Sequence, residues 1–169
     1  MSKILTRYLE PHIKEDLKTK MVFLGGPRQV GKTTLAQWLI KNYKDEHPAY
    51  LNWDSDLHKK KIKDREWPKN EKLIVFDEIH KFKNWRNLIK GFYDTLKHTY
   101  SFLVTGSARL DHFRRGGDFL LGRYHYYYRL HPYSLPELKF KEGSLHALLK
   151  YGGFPEPYTA ADERNLRRW

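Results

Sequence analysis

Two spacings of apolar residues alternate along the chain. Met21-Val22-Phe23-Leu24, Leu73-Ile74-Val75-Phe76 and, after Ser101, Phe102-Leu103-Val104 are unbroken apolar runs, the pattern of strands buried on both faces. Between them the spacing is helical. Leu35, Trp38, Leu39 and Tyr43 follow the first run, and Trp85, Leu88, Ile89, Phe92 and Leu96 fall at i, i+3, i+4, i+7 and i+11 after the second. Residues 49–54 and 124–130 predict two more strands, the last stopped by Pro132, and the charged stretch from Asp56 to Asn70 reads as a surface helix or loop. Strands alternating with helices predict an α/β fold, a three-layer sandwich with a central parallel sheet covered on both faces.

The ends of the chain are helical in pattern. Ile4, Leu5, Tyr8, Leu9, Ile13 and Leu17 share a helical period that Pro11 is expected to break into two pieces. Short helices are predicted near Ser134 to Phe140 and near Ser144 to Lys150. Gly152-Gly153-Phe154-Pro155 predicts a break, and Thr159-Ala160-Ala161-Asp162 resembles a capping box that opens a terminal helix. The expected organisation is an N-terminal helical segment over 1–20, a core over 21–131 and a helical C-terminal segment over 132–169. The last is read as truncated, because Trp169 falls inside a helical pattern.

Candidate chemistry begins where the first apolar run ends. Gly26-Pro27-Arg28-Gln29-Val30-Gly31-Lys32-Thr33 fits the Walker A pattern G-x-x-x-x-G-K-[ST], placed between a predicted strand and a predicted helix. Its glycines let backbone N–H groups curl around a phosphate while the following helix aims its positive end at the same anion. Lys32 would reach the β- and γ-phosphates and the Thr33 hydroxyl would hold Mg2+. With Thr34, these residues form the candidate cofactor-binding set, and ATP with Mg2+ is the expected ligand. The second run ends in Phe76-Asp77-Glu78, a Walker B pattern in which Asp77 would hold Mg2+ and Glu78 would orient the attacking water. The third ends in Thr105-Gly106-Ser107, where a polar side chain such as Thr105 could touch the γ-phosphate or the water; it is equally an ordinary turn.

Taken together, Gly-Pro-Arg-Gln-Val-Gly-Lys-Thr-Thr-Leu at 26–35, Phe-Asp-Glu-Ile-His-Lys at 76–81 and Thr-Gly-Ser at 105–107 resemble the prokaryotic AAA-type P-loop ATPases. They resemble in particular the group whose ATPase domain precedes a nuclease-like C-terminal domain of unknown function. Gly122-Arg123, Pro132 with Glu137, and Gly152-Gly153-Phe154-Pro155-Glu156 resemble that family's later motifs. The resemblance implies a sheet with the Thr105 strand between the two Walker strands. It also implies a homo-oligomer in which an arginine reaches a neighbour's γ-phosphate, with Arg123 the first candidate and Arg109 and Arg115 next. The segment from Ala108 to Gly117 is more basic than the serine-rich stretch expected there.

Composition narrows the partners. The 169 residues include no cysteine, which excludes thiol catalysis and cysteine-bound metals. The net charge of +12 points towards nucleotide phosphates, nucleic acid or an acidic membrane surface. No apolar run is long enough to span a bilayer and no signal sequence is evident, so a cytoplasmic protein without a membrane partner is expected. The histidines lack a metal-ligand spacing. Tyr124, Tyr126, Tyr127 and Tyr128, between Arg123 and Arg129, fit either base stacking beside cations or a terminal strand packed on both faces. The expected activity is MgATP hydrolysis that drives a conformational or partner-binding change. A P-loop kinase acting on a small acceptor, and a nucleotide-dependent nucleic-acid-binding switch with little hydrolysis, are the alternatives.

Overall fold

Strands form where the unbroken apolar runs predict them. The computed structural model describes residues 6–41, 47–107, 110, 120–139 and 141–169. Its sheet contains β1 (Met21–Gly25), β2 (Tyr50–Asn52), β3 (Leu73–Asp77), β4 (Ser101–Thr105) and β5 (Tyr124–Arg129), in the order β2-β3-β4-β1-β5. Every pairing is parallel. The Thr105 strand therefore lies between the two Walker strands, as the resemblance implied.

Because successive strand residues point to opposite faces, the apolar runs feed two separate cores. Met21, Phe23, Ile74, Phe76, Phe102 and Val104 enter one, with Ile62 of α3 (Asp56–Asp64) and Trp85, Ile89 and Phe92 of α4 (Trp85–Leu96). This core is aromatic: the Phe76 ring stacks on Phe102 with centroids 5.9 Å apart and meets Phe92 at 5.6 Å. Val22, Leu24, Val75 and Leu103 enter the other, an aliphatic core closed by Ile13 of α1 (Glu10–Asp16) and by Leu35, Ala36 and Leu39 of α2 (Lys32–Leu39). Helices on both faces of the sheet make three layers.

At the sheet edge, β5 packs through most of its tyrosines. Tyr124 meets Phe23 edge-on at 5.2 Å between centroids. Tyr127 lies over Gly25, where an added Cβ would come 1.4 Å from its hydroxyl oxygen. Tyr128 donates to Asp16 Oδ2 at 2.8 Å, and burial together with that carboxylate pushes its phenol up to about 12. Tyr126 is 67% exposed.

Several expectations at the chain ends are corrected. Pro11 does not break a helix but lies in the first turn of α1, where its missing N–H has no intrahelical partner to lose. Residues 135–139 form turns instead of a helix, with Lys139 at φ 56°. After α5 (Ser144–Tyr151), Pro155 opens α6 (Pro155–Ala160), the same preference for a first turn acting again. Thr159 lies inside α6, its hydroxyl donating to Pro155 O at 2.7 Å, so it does not cap α7 (Glu163–Arg168). Ile4, Leu5, Tyr43 and Phe140 lie outside the described residues. Among the described residues, no helix is long and apolar enough to cross a membrane.

Candidate functional site

The loop between β1 and α2 turns through left-handed backbone at Gly26 (φ 149°), Gln29 (φ 59°) and Gly31 (φ 94°). At Gly26 a Cβ would lie 2.4 Å from Leu130 O, so the approach of the chain leaving β5 requires glycine there. Gly31 stands at the N-cap of α2, and Lys32 follows as its first residue. The Lys32 side chain turns back into the loop, where Nζ donates to Gly26 O at 3.1 Å and Pro27 O at 2.6 Å. Lys32 is only 8% exposed. Burial pushes its ammonium below the usual lysine range, an effect opposed by Glu78 and Asp77 and reinforced by Arg28. A polyanion in this loop would restore the charged form.

Asp77 closes β3 and is 4% exposed. Thr105 Oγ1 donates to its Oδ1 at 2.5 Å, Thr33 Oγ1 to its Oδ2 at 3.2 Å, and the Tyr50 hydroxyl also to Oδ2. Sheet register accounts for the Thr105 contact, since Asp77 stands beside Thr105 and Thr105 beside Leu24, just before the loop. One carboxylate thus gathers side chains from β2, β4 and α2. Asp77 and Thr33 offer hard oxygen donors, which suit a Mg2+ that takes its other ligands from phosphate and water. Among the described residues, no group of three or more His, Cys, Asp or Glu side chains forms a separate metal cluster.

Glu78 is next, with φ 56°, a conformation that costs a non-glycine residue about 1–2 kcal/mol. Its N–H donates to Thr105 O at 3.0 Å. A 3-10 turn over Ile79–Lys81 then folds back on it. Lys81 Nζ lies 3.3 Å and His80 Nε2 3.8 Å from Glu78 Oε2. Lys81 is also bonded to Asp54 at 2.6 Å, and its pKa is raised first by Asp54 and then by Glu78.

Behind the 26–34 loop stands Arg7, a residue that no sequence motif marks. Arg7, 5% exposed, donates from Nε to Glu137 Oε1 at 2.8 Å, from Nη1 to Val30 O at 2.8 Å, and from Nη2 to His131 O. Its guanidinium carbon lies 4.8 Å from the Tyr133 ring centroid. Glu137 Oε1 also accepts from Tyr8 N, and its Oε2 accepts from Ser134 N, each at 3.1 Å. Tyr133 N donates to Gly153 O at 2.6 Å, and a Cβ on Gly31 would come 3.8 Å from Pro155. The motif residues around Glu137 and Gly153 therefore form the back wall of the loop. No local pattern links Arg7 to a partner 130 positions away; only the family-like motif flagged Glu137.

Arg123 is not brought to this site. It precedes β5 at the other end of the sheet, where its carbonyl accepts from Met21 N. The five residues of β1 separate it from the loop, a span of roughly 15 Å. Its guanidinium forks onto Asp94, Nε to Oδ1 at 2.7 Å and Nη2 to Oδ2 at 2.8 Å. Its guanidinium therefore lies away from the 26–34 loop of its own chain. Arg109 and Arg115 lie outside the described residues.

Comparison with known proteins bears on the family and the fold. A family model for an AAA domain matches residues 18–139. Uncharacterized protein MJ1544 of Methanocaldococcus jannaschii is 26% identical over 193 residues, an alignment that covers 99% of this chain and 42% of that protein. The chain thus spans less than half the length of this relative. The RuvB Holliday junction branch migration motor of Thermotoga maritima superposes with a TM-score of 0.59 at 18% identity, covering 97% of this chain and 61% of RuvB. The Aeropyrum pernix ORC1 protein, solved in complex with DNA, gives 0.50 at 12% identity over 80% of this chain and 48% of ORC1. These two likenesses are of fold. The family match extends over most of the chain and includes β1 and β3, so the chain belongs to the AAA family of P-loop ATPases.

Proposed function

We propose that this chain binds MgATP between the 26–34 loop and the ends of β3 and β4, and hydrolyses it to drive a change of shape or of partner affinity. The observation that carries this reading is the gathering of Thr33 and Thr105 on Asp77, beside a buried Lys32 and next to Glu78. In it, the backbone of Gly26, Pro27, Arg28, Gln29, Val30 and Gly31 cradles the phosphates while Lys32 supplies charge at the β- and γ-positions. Thr34 stands beside them in the first turn of α2. Thr33 and Asp77 hold Mg2+, which neutralises phosphate charge when bound. Thr105 fixes the Asp77 carboxylate, and Glu78 directs water at the γ-phosphate. A carboxylate immediately after the metal-holding aspartate favours water over a small acceptor as the nucleophile.

The reading divides the chain into the 1–20 segment, the 21–131 core and the 132–169 segment. Arg7 and Glu137 carry changes in the loop to both outer segments. It places the protein in the cytoplasm. The +12 charge supports nucleic acid as the partner, as do the Holliday junction branch migration of RuvB and the DNA complex of ORC1. A homo-oligomer would let Arg123 act on a neighbour's γ-phosphate. Phosphate release from MgATP tests the core of the reading: turnover with water alone is expected, removed by Lys32→Ala. Turnover that appears only with an added acceptor would make the protein a kinase. DNA is expected to alter the rate, with binding weakening steeply as salt rises.

A further inference from the structure

His80 stands at the meeting of the two strand ends that the proposed chemistry uses. The left-handed turn at Glu78 and the 3-10 turn after it carry the imidazole back between the ends of β3 and β4. There Nε2 lies 3.2 Å from Ser107 Oγ and 3.8 Å from Glu78 Oε2. The side chain is 8% exposed. Space for it exists because residue 106 is glycine: a Cβ there would come 2.6 Å from His80 Nδ1 and 2.9 Å from Cε1. The Thr-Gly-Ser turn thus has a steric reason for its middle residue.

One ring nitrogen faces two oxygens from different elements. A neutral imidazole has one N–H and one acceptor nitrogen. With the proton on Nε2 it donates to Ser107 Oγ at 3.2 Å, and Glu78 Oε2, at 3.8 Å, comes within hydrogen-bond reach only as the ring turns away from Ser107. With the proton on Nδ1 it accepts from the Ser107 hydroxyl. Any movement of Ser107 towards an anion at the end of β4 therefore changes what Nε2 offers to Glu78. Lys81, which also reaches Glu78, is held by Asp54, whereas the imidazole is the Glu78 contact that also reaches Ser107.

We infer that His80 is a positioning residue that couples the orientation of Glu78 to the engagement of Ser107 at the end of β4. The inference rests on the proposed MgATP hydrolysis and adds to it a path by which the state of β4 sets the state of Glu78. It would not touch nucleotide itself.

Steady-state hydrolysis and equilibrium MgATP binding on the full chain test this. His80→Ala is expected to lower kcat by ~10- to 100-fold, the range typical when a supporting contact of a reactive group is lost. MgATP affinity should stay within about 2-fold of the parent, since binding rests on Lys32 and the loop. His80→Gln, whose amide can reach the Nε2 position, should recover most of the rate. In a Ser107→Ala background, His80→Ala should cost little more, because the two residues act as one unit. The inference is overturned if His80→Ala keeps the parent kcat, if it loses affinity in step with rate, if Gln rescues no better than Ala, or if the two single losses multiply. A parent that turns over MgATP in a Lys32-dependent way while His80→Ala is silent defeats this inference alone. A parent with no turnover defeats the proposed function and this inference with it.

Discussion

Where β1, β3 and β4 finish, Lys32, Asp77 and Thr105 are buried and bound into one another's surroundings. Where the same strands begin, the charges lie on the surface. Arg123 pairs with Asp94 there, and Lys14, Lys18 and Lys72 rim a groove of about 420 Å³ floored by Leu17, Leu39 and Leu73. Cations occur at both ends, so the excess of positive charge does not by itself mark the site. Burial does. A charge taken out of water is sensitive to every neighbour, whereas an exposed pair contributes only about 0–1 kcal/mol. The contrast supports the proposed site at the end where polar groups have been buried and their partners supplied.

The hardest blow to that end is Arg7→Ala. It strands Glu137 in the interior and frees Val30 O, and should cost about 3–5 kcal/mol in a denaturant titration. A loss below ~1 kcal/mol, the surface range, would erase the contrast. Glu78→Gln keeps volume and removes the negative charge. Turnover should fall by ~10²-fold or more while calorimetric MgATP binding persists; an unchanged rate removes Glu78 from the chemistry. Lys32→Ala should weaken MgATP binding by about 1.5–3 kcal/mol, the worth of a hydrogen bond to a charged group. The parent's affinity should also fall as pH rises, because the cation is the binding form. That fall should start below the usual lysine range, since burial lowers this pKa, and should vanish in the variant.

At the opposite end, Arg123→Ala should move stability by less than ~1 kcal/mol and leave the turnover of dilute protein near the parent value. If turnover per chain instead rises with concentration in the parent and not in the variant, Arg123 serves a neighbour's site and the surface end has a function only in assemblies.

The sheet was legible because strands buried on both faces carry uninterrupted apolar runs, and the 26–33 loop because its chemistry demands a fixed spacing. Asp77 and Glu78 followed from their place at a strand end. What local pattern does not show is long-range. Arg7 looks like any basic residue near a chain start until Glu137, Val30 and His131 surround it. Tyr50 reads as a strand residue, and nothing local shows that its hydroxyl ends on Asp77. His80 needed the space at Gly106. At Pro11 the pattern misleads locally, since the proline reads as an interruption but opens a helix; at 152–154 the break is real and Pro155 opens the helix after it.

The strand order also has a consequence for how the protein is made. β1 leaves the ribosome before β4 and β5, yet Val22 pairs with Leu103 and Leu24 with Tyr128. At about 5–20 residues per second, this apolar segment waits several seconds for either neighbour. Parallel pairings so distant in sequence close slowly and leave nascent strands prone to sticking. The phosphate loop waits as well, since Gly26 takes its place against Leu130 and Val30 against Arg7 and its distant partners. A nucleotide can therefore stabilise only the final stage of folding, after β5 has joined the sheet, and gives the growing chain no early shelter.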